Sequence, residues 1–163
     1  MPIPRGARYF LSGVMQGRKA DGAGVEGTVS QDYRQVMKDA ILAADATAIV
    51  VEPWDLVGAL CAELYPEGTA QGNMFRDDAH VQRAFGICVD AAAAADVVVS
   101  YLPEASMGSA VEIHAAKLAG KTIIAVAPGS MAANWVVRSY SDRVVPGLDE
   151  LRAHLAEVVG SDR

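Results

Sequence analysis

Residues 96–102, Asp-Val-Val-Val-Ser-Tyr-Leu, are apolar without alternating, and this run restricts the fold more than any other segment. A strand with one wet face carries a polar residue at every second position, whereas a strand buried on both faces does not. The run therefore predicts a parallel strand covered by helices on either side. Arg8 to Gly13, Ala48 to Val51, Thr122 to Val126 and a short stretch near Val144-Val145 read as strands of the same kind. Helical spacing fills the gaps. Tyr33, Val36, Met37, Ala40, Ile41 and Ala44 recur behind an expected cap at Ser30, and Leu56 to Leu64 follow Pro53. Further helices are expected over His80 to Ala94, over Ala110 to Ala119, and through Leu148, Leu151, Leu155 and Val158.

Strands alternating with helices predict a single doubly wound α/β domain with a five-stranded, mainly parallel sheet, flavodoxin/Rossmann-like. Ligands of such sheets sit beyond the carboxyl ends of the strands, where strand order reverses. The loops after Gly13, Leu102 and Val126 are thus the places for chemistry. The first of these, from Val14 to Ser30, contains Gly17, Gly22, Gly24 and Gly27 and exceeds the length of a plain connection.

Composition removes several classes of function. With 14 Lys and Arg against 20 Asp and Glu, the net charge is −6. An acidic chain without a basic stripe offers little to a phosphate backbone, so no nucleic-acid partner is expected. No window holds about 18 uninterrupted apolar residues, which argues against a membrane span. The opening Met1-Pro2-Ile3-Pro4-Arg5 lacks the apolar core of a secretion signal, so a cytoplasmic location is expected. Cys61 and Cys88 form no C-x-x-C pair and are read as small core residues, not as a disulfide or a metal site. Gly22, Gly24 and Gly27 spell G-x-G-x-x-G but do not directly follow a strand, so the dinucleotide fingerprint is a poor fit. P-loop, serine-hydrolase and zincin motifs are absent from the sequence.

One carboxylate stands out, Glu112, near the start of the helix that follows the best strand. Ser109-x-x-Glu112 has the form of a capping box, in which Glu112 merely accepts from the cap amide. The alternative is a carboxylate at the mouth of the sheet, kept ionised by the helix N-terminus and able to act as a nucleophile. Both readings are open from the sequence. Asp96 is read as structural, His114 as helix surface or core, Lys121 as part of a turn, and Trp54 and Met74 as packing residues.

Three segments resemble the nucleoside 2-deoxyribosyltransferase-like family, and within it the 2'-deoxynucleoside 5'-phosphate N-hydrolases. They are Tyr9-Phe10-Leu11-Ser12-Gly13-Val14-Met15-Gln16-Gly17-Arg18, then Ala95-Asp96-Val97-Val98-Val99, then Ser106-Met107-Gly108 through Glu112-Ile113 to Ala119-Gly120-Lys121. The resemblance implies one such domain over residues 1–163 with a variable insertion at about 53–76. It also implies that Glu112 attacks the anomeric carbon of a nucleotide, that Tyr9 holds that carboxylate, and that no cofactor or metal takes part. Ser12, Gly13, Gly17, Arg18, Ser106, Met107 and Gly108 would bind substrate. Ser106 replaces the aspartate that deoxyribosyltransferases place six residues before the glutamate, which favours a 5'-phosphate over a free 5'-hydroxyl.

For the acid that protonates the departing base, the family has an aspartate eight residues before Asp96, and this chain has Cys88 there. Asp90 is the nearest carboxylate, with Asp77 and Asp78 as alternatives. Asn134 either contacts substrate across a homodimer interface or lies in a surface turn. The implied activity is hydrolysis of a nucleoside 5'-monophosphate to free base and sugar 5-phosphate. Base exchange and nucleotide binding without turnover are the alternatives.

Overall fold

The computed structural model describes residues 2–14, 31–67, 75 and 77–161. The expected cap at Ser30 and the glycine-rich stretch with Gly17 and Arg18 lie outside the described residues, as does Met74. Five strands, β1 (Arg8–Gly13), β2 (Ile49–Val51), β3 (Val97–Tyr101), β4 (Thr122–Val126) and β5 (Arg143–Val145), form one sheet in the order β2-β1-β3-β4-β5. Every pairing is parallel. The fold is thus the doubly wound α/β class, and its strand order reverses between β1 and β3.

Six helices cover the sheet: α1 (Asp32–Ala44), α2 (Pro53–Leu64), α3 (Asp78–Ala94), α4 (Met107–Leu118), α5 (Trp135–Tyr140) and α6 (Leu148–Val158). Strand side chains alternate between the two faces. Tyr9, Leu11, Val97, Val99, Ile124 and Val126 pack with Met37 and Ile41 of α1 and Leu151 and Leu155 of α6. Phe10, Val98, Ile123 and Ala125 pack on the other side with residues of α2, α3, α4 and α5. This parity decides which strand residues can reach the site.

Local chemistry explains the element boundaries. Pro53 opens α2, where a missing N–H costs nothing. Asp77 caps α3 by accepting from His80 N at 2.8 Å, so that helix begins two residues before His80. Asp96 is structural, as expected, since its carboxylate accepts from Arg8 N at 2.8 Å and its own N–H donates to Arg8 O. Gly120, at φ 69°, ends α4 in the left-handed conformation, and the Lys121 N–H bonds back to Ala116 O. Helix α5 is an addition to the expected set. Trp135, Val136 and Val137 are weak helix formers, and the helix rests on Asn134, whose Oδ1 accepts from the N–H groups of Val136 and Val137.

Candidate active site

The third loop places Glu112. Helix α4 begins at Met107 because Ser106 is its cap: the Ser109 N–H donates to Ser106 Oγ at 3.3 Å. Glu112 is then the sixth residue of the helix, out of reach of the cap, which corrects the capping-box reading. Its side chain turns inward and is 4% exposed. There the Ser12 hydroxyl, on the same face of β1 as Phe10, donates to Glu112 Oε2 at 2.5 Å. Burial raises the Glu112 carboxyl to about 7, against the opposing pull of the Ser12 hydrogen bond and the Arg34 charge.

Arg34 lies 2% exposed on the inner face of α1. Strand β2 stops at Val51, opposite Phe10, so the carbonyls of β1 beyond that point have lost their ladder partner. Ala7 O accepts from Ile49 N, and the odd-numbered carbonyls that follow point the same way. Arg34 takes over where β2 ends: Nη1 donates to Leu11 O at 2.9 Å and Nη2 to Gly13 O at 3.3 Å. Nε donates to Gln31 Oε1 at 2.6 Å, which also accepts from Trp54 Nε1 at 3.0 Å. A guanidinium fixed this way sets the end of β1 and puts a positive charge near Glu112.

Tyr33 completes this edge. Its hydroxyl donates to Val14 O at 3.1 Å, and its ring stacks on Tyr101 with centroids 4.6 Å apart. Gly13 has to be glycine here, since a Cβ would lie 2.5 Å from the Tyr33 hydroxyl oxygen. None of Arg34, Tyr33 or Tyr101 is singled out by the sequence reading. The available signal was a single arginine on the apolar stripe of Tyr33, Met37, Ala40 and Ile41.

The remaining expected residues divide clearly. Tyr9 does not hold Glu112: it is buried on the opposite face of the sheet, with Leu11, because side chains alternate along β1. Its hydroxyl has no hydrogen-bond partner among the described residues, and burial, with the charges of Asp45 and Asp96, pushes it up to about 12. Ser12, expected to touch substrate, is fully buried and holds the carboxylate instead. Asp90 is not brought to Glu112. The inner face of α3 carries Ala84, Cys88 and Ala92, and Asp90, two residues from Cys88, is exposed on the outer side. Cys88 is buried, and its thiol is pushed up to about 11 by burial and by the Glu112 charge. Cys61, expected in the core, is only partly buried. Asp77 is engaged with His80 at the start of α3.

Ser106, Met107 and Gly108 form the start of α4, on the loop that leaves β3 beyond Tyr101. Tyr101 is in register with Gly13, so this loop and the end of β1 leave the carboxyl edge of the sheet side by side. Asn134 caps α5. His114 lies on the outer side of α4, where Nδ1 is 3.1 Å from the Tyr140 hydroxyl. Trp54 joins the Gln31 network.

Fold and site together define a doubly wound α/β protein with a buried carboxylate at the point of strand-order reversal. No family profile matches the chain, and no curated protein does. Solved structures share its fold. A conserved protein from Enterococcus faecalis is 17% identical with a TM-score of 0.55, over 93% of this chain and 98% of that one. A 2-deoxyribosyltransferase from Bacillus psychrosaccharolyticus is 15% identical with a TM-score of 0.56, over 91% and 96%. A CMP N-glycosidase from Clostridium botulinum is 17% identical with a TM-score of 0.48, over 91% and 96%.

The raised Glu112 carboxyl has a consequence for stability. Between its ordinary value of 4.5 and about 7 the unfolded chain releases this proton while the folded one keeps it. Stability is therefore full below 4.5 and falls as pH climbs through 7, by about 3 kcal/mol if no other group compensates. Glu112→Gln removes that loss and keeps an acceptor for Ser12. The variant should melt higher than the parent at pH 8.5, with the gap closing near pH 5. A melting-temperature difference that does not change with pH would contradict the buried state of the carboxylate.

Proposed function

We propose that this chain cleaves the N-glycosidic bond of a nucleoside 5'-monophosphate through a covalent intermediate on Glu112. The observation that carries the reading is the Glu112 carboxylate, buried against Ser12 at the carboxyl edge of the sheet, where a doubly wound fold binds its ligand. The fold shared with a 2-deoxyribosyltransferase and the sequence resemblance around Glu112 support the same chemistry.

Glu112, ionised, attacks C1' of the sugar as the C1'–N bond breaks; the bonding pair leaves with the base, which takes up a proton. The transition state carries positive charge on the sugar, and a carboxylate in a dry pocket stabilises it more strongly than one in water. Water then attacks C1' of the glycosyl ester and gives up a proton to solvent, the pair of the ester bond returns to Glu112, and sugar 5-phosphate is released. Base exchange differs only in that a second base replaces water. The shared fold of the 2-deoxyribosyltransferase favours keeping that reading open. Ser106 and the first-turn N–H groups of Met107 and Gly108, which have no acceptor among the described residues, suit a phosphate, which a helix N-terminus attracts. By the resemblance, Gly17 and Arg18 would contribute to phosphate binding.

A second copy of the chain is proposed to cover the outer face of α4. Met107, Val111 and Leu118 lie along one stripe of that helix at 90%, 43% and 75% exposure, Phe85 of α3 reaches Gly108 at its start, and Trp135 of α5 is also exposed. Large apolar side chains gathered on one outer face mark an interaction surface. Asn134, next to Trp135, would then reach the partner's crevice.

Two measurements test these readings. Chromatography of nucleoside 5'-monophosphates and the matching nucleosides, incubated with the protein, should show free base from monophosphates only. Glu112→Gln should lower the rate by at least about a thousandfold, and the parent's rate should rise with pH through about 7 as Glu112 ionises. Ser106→Asp should weaken monophosphates more than nucleosides. Base exchange without net hydrolysis would select transfer, and binding without base release would select a non-catalytic module. In gel filtration at micromolar concentration the parent should run as a dimer, and Leu118→Asp with Trp135→Asp as a monomer. A monomeric parent would remove the partner contact assigned to Asn134.

A further inference from the structure

We infer that Ser100 is a positioning residue for Glu112, supplying the second hydroxyl that the carboxylate takes up when it is charged. This rests on the reading of Glu112 as the nucleophile. Ser100 on β3 is in direct register with Ser12 on β1. The two residues share strand parity with Val98 and Phe10, so both side chains stand on the face that α4 covers. Both serines are completely buried. Ser12 donates to Glu112, whereas Ser100 Oγ has no hydrogen-bond partner among the described residues. Its neighbours along β3 on the core positions are valines, Val97, Val98 and Val99, which makes a hydroxyl at Ser100 chemically out of place.

A buried hydroxyl without a partner is destabilising, and alanine or valine would fill the same strand position at no such cost. Its presence next to Ser12, on the face that Glu112 meets, is explained by the charged state of that carboxylate. Each hydrogen bond donated to a carboxylate favours its charged form, so a second hydroxyl would hold Glu112 ionised more strongly than Ser12 alone. Among the described residues Ser12 is the sole hydrogen-bond donor to Glu112. A turn about the Ser100 Cα–Cβ bond, a single rotamer change, redirects the hydroxyl without moving the strand. The other groups that act electrostatically with Glu112 are Arg34 and Tyr33 from α1 and Cys88 from α3. His114 of α4 faces outward to Tyr140. Arg34 is fixed on β1 carbonyls and the Cys88 thiol stays protonated, which leaves Ser100 as the adjustable partner.

The test is a titration of Glu112 in the full chain. Carbon-13 NMR of protein labelled at the glutamate side-chain carboxyl follows Glu112, assigned by the signal lost in Glu112→Gln. Ser100→Ala should move the midpoint upward by about one pH unit, a tenfold change in ionisation constant, as should Ser12→Ala. At pH 5, where Glu112 is neutral, melting temperature should hold or rise in Ser100→Ala, since an unpartnered hydroxyl is removed. Base release by Ser100→Ala should fall about tenfold at pH 6 and recover above pH 9, following the shifted ionisation. A higher melting temperature with an unchanged midpoint would overturn the inference and leave Ser100 a packing residue. If the parent releases no base while the midpoint still moves in Ser100→Ala, the proposed function fails and the role of Ser100 stands.

Discussion

A carboxylate taken out of water has to be held by something, and for Glu112 that is the Ser12 hydroxyl, 2.5 Å away across the gap between β1 and α4. Most of the site's geometry follows from that contact. It requires β1 to turn its even-numbered side chains toward α4, which places Tyr9 and Leu11 in the opposite core. It also requires α4 to begin at Met107, so that Glu112 lies on the inner side of its second turn instead of at its mouth. A hydroxyl bonded to a carboxyl holds it more strongly when the carboxyl is charged. Burial nonetheless outweighs it, leaving the carboxyl near 7, the range in which a group can change charge during a catalytic cycle.

The end of β1 depends on a second substitution of one group for another. Where β2 stops, a strand would normally leave carbonyls without donors, and Arg34 supplies them from α1. The same side chain thus closes the sheet edge and brings a cation toward Glu112, so the local fold and the electrostatics of the site rest on one residue. Tyr33, its neighbour, fills the space above Gly13 and stacks on Tyr101. The first and third strands are bridged at their carboxyl ends by these aromatic rings on one face, while on the other the Ser12–Glu112 contact joins β1 to α4.

Much of this was legible in the sequence. The unbroken apolar runs announced a parallel sheet, and the strand Thr122–Val126 and the helix Leu148–Val158 fall where periodicity puts them. Glu112 was visible as a carboxylate after the best strand. Its environment was not, because Ser106 and Ser109 are both good caps and only three-dimensional packing selects the first. Tyr9 was misplaced because a resemblance transfers a residue but not the parity of its strand, and one position along β1 changes the face. Asp90 failed for the corresponding reason on a helix, where two residues amount to about 200°. Arg34 went unnoticed since its role arises from β2 being only three residues long, a length that no local pattern encodes.

The central claim is that the Glu112 carboxylate forms the bond to the sugar. It is tested most directly by trapping that bond with a 2-fluoro-2-deoxyarabinosyl nucleoside 5'-monophosphate, whose fluorine slows both formation and breakdown of a glycosyl ester. Peptide mass spectrometry after brief incubation should find one fluorosugar phosphate on the peptide that contains Glu112, and none in the Glu112→Gln variant. Release of base from this nucleotide with the adduct on another residue, or with equal adduct in Glu112→Gln, would contradict the account.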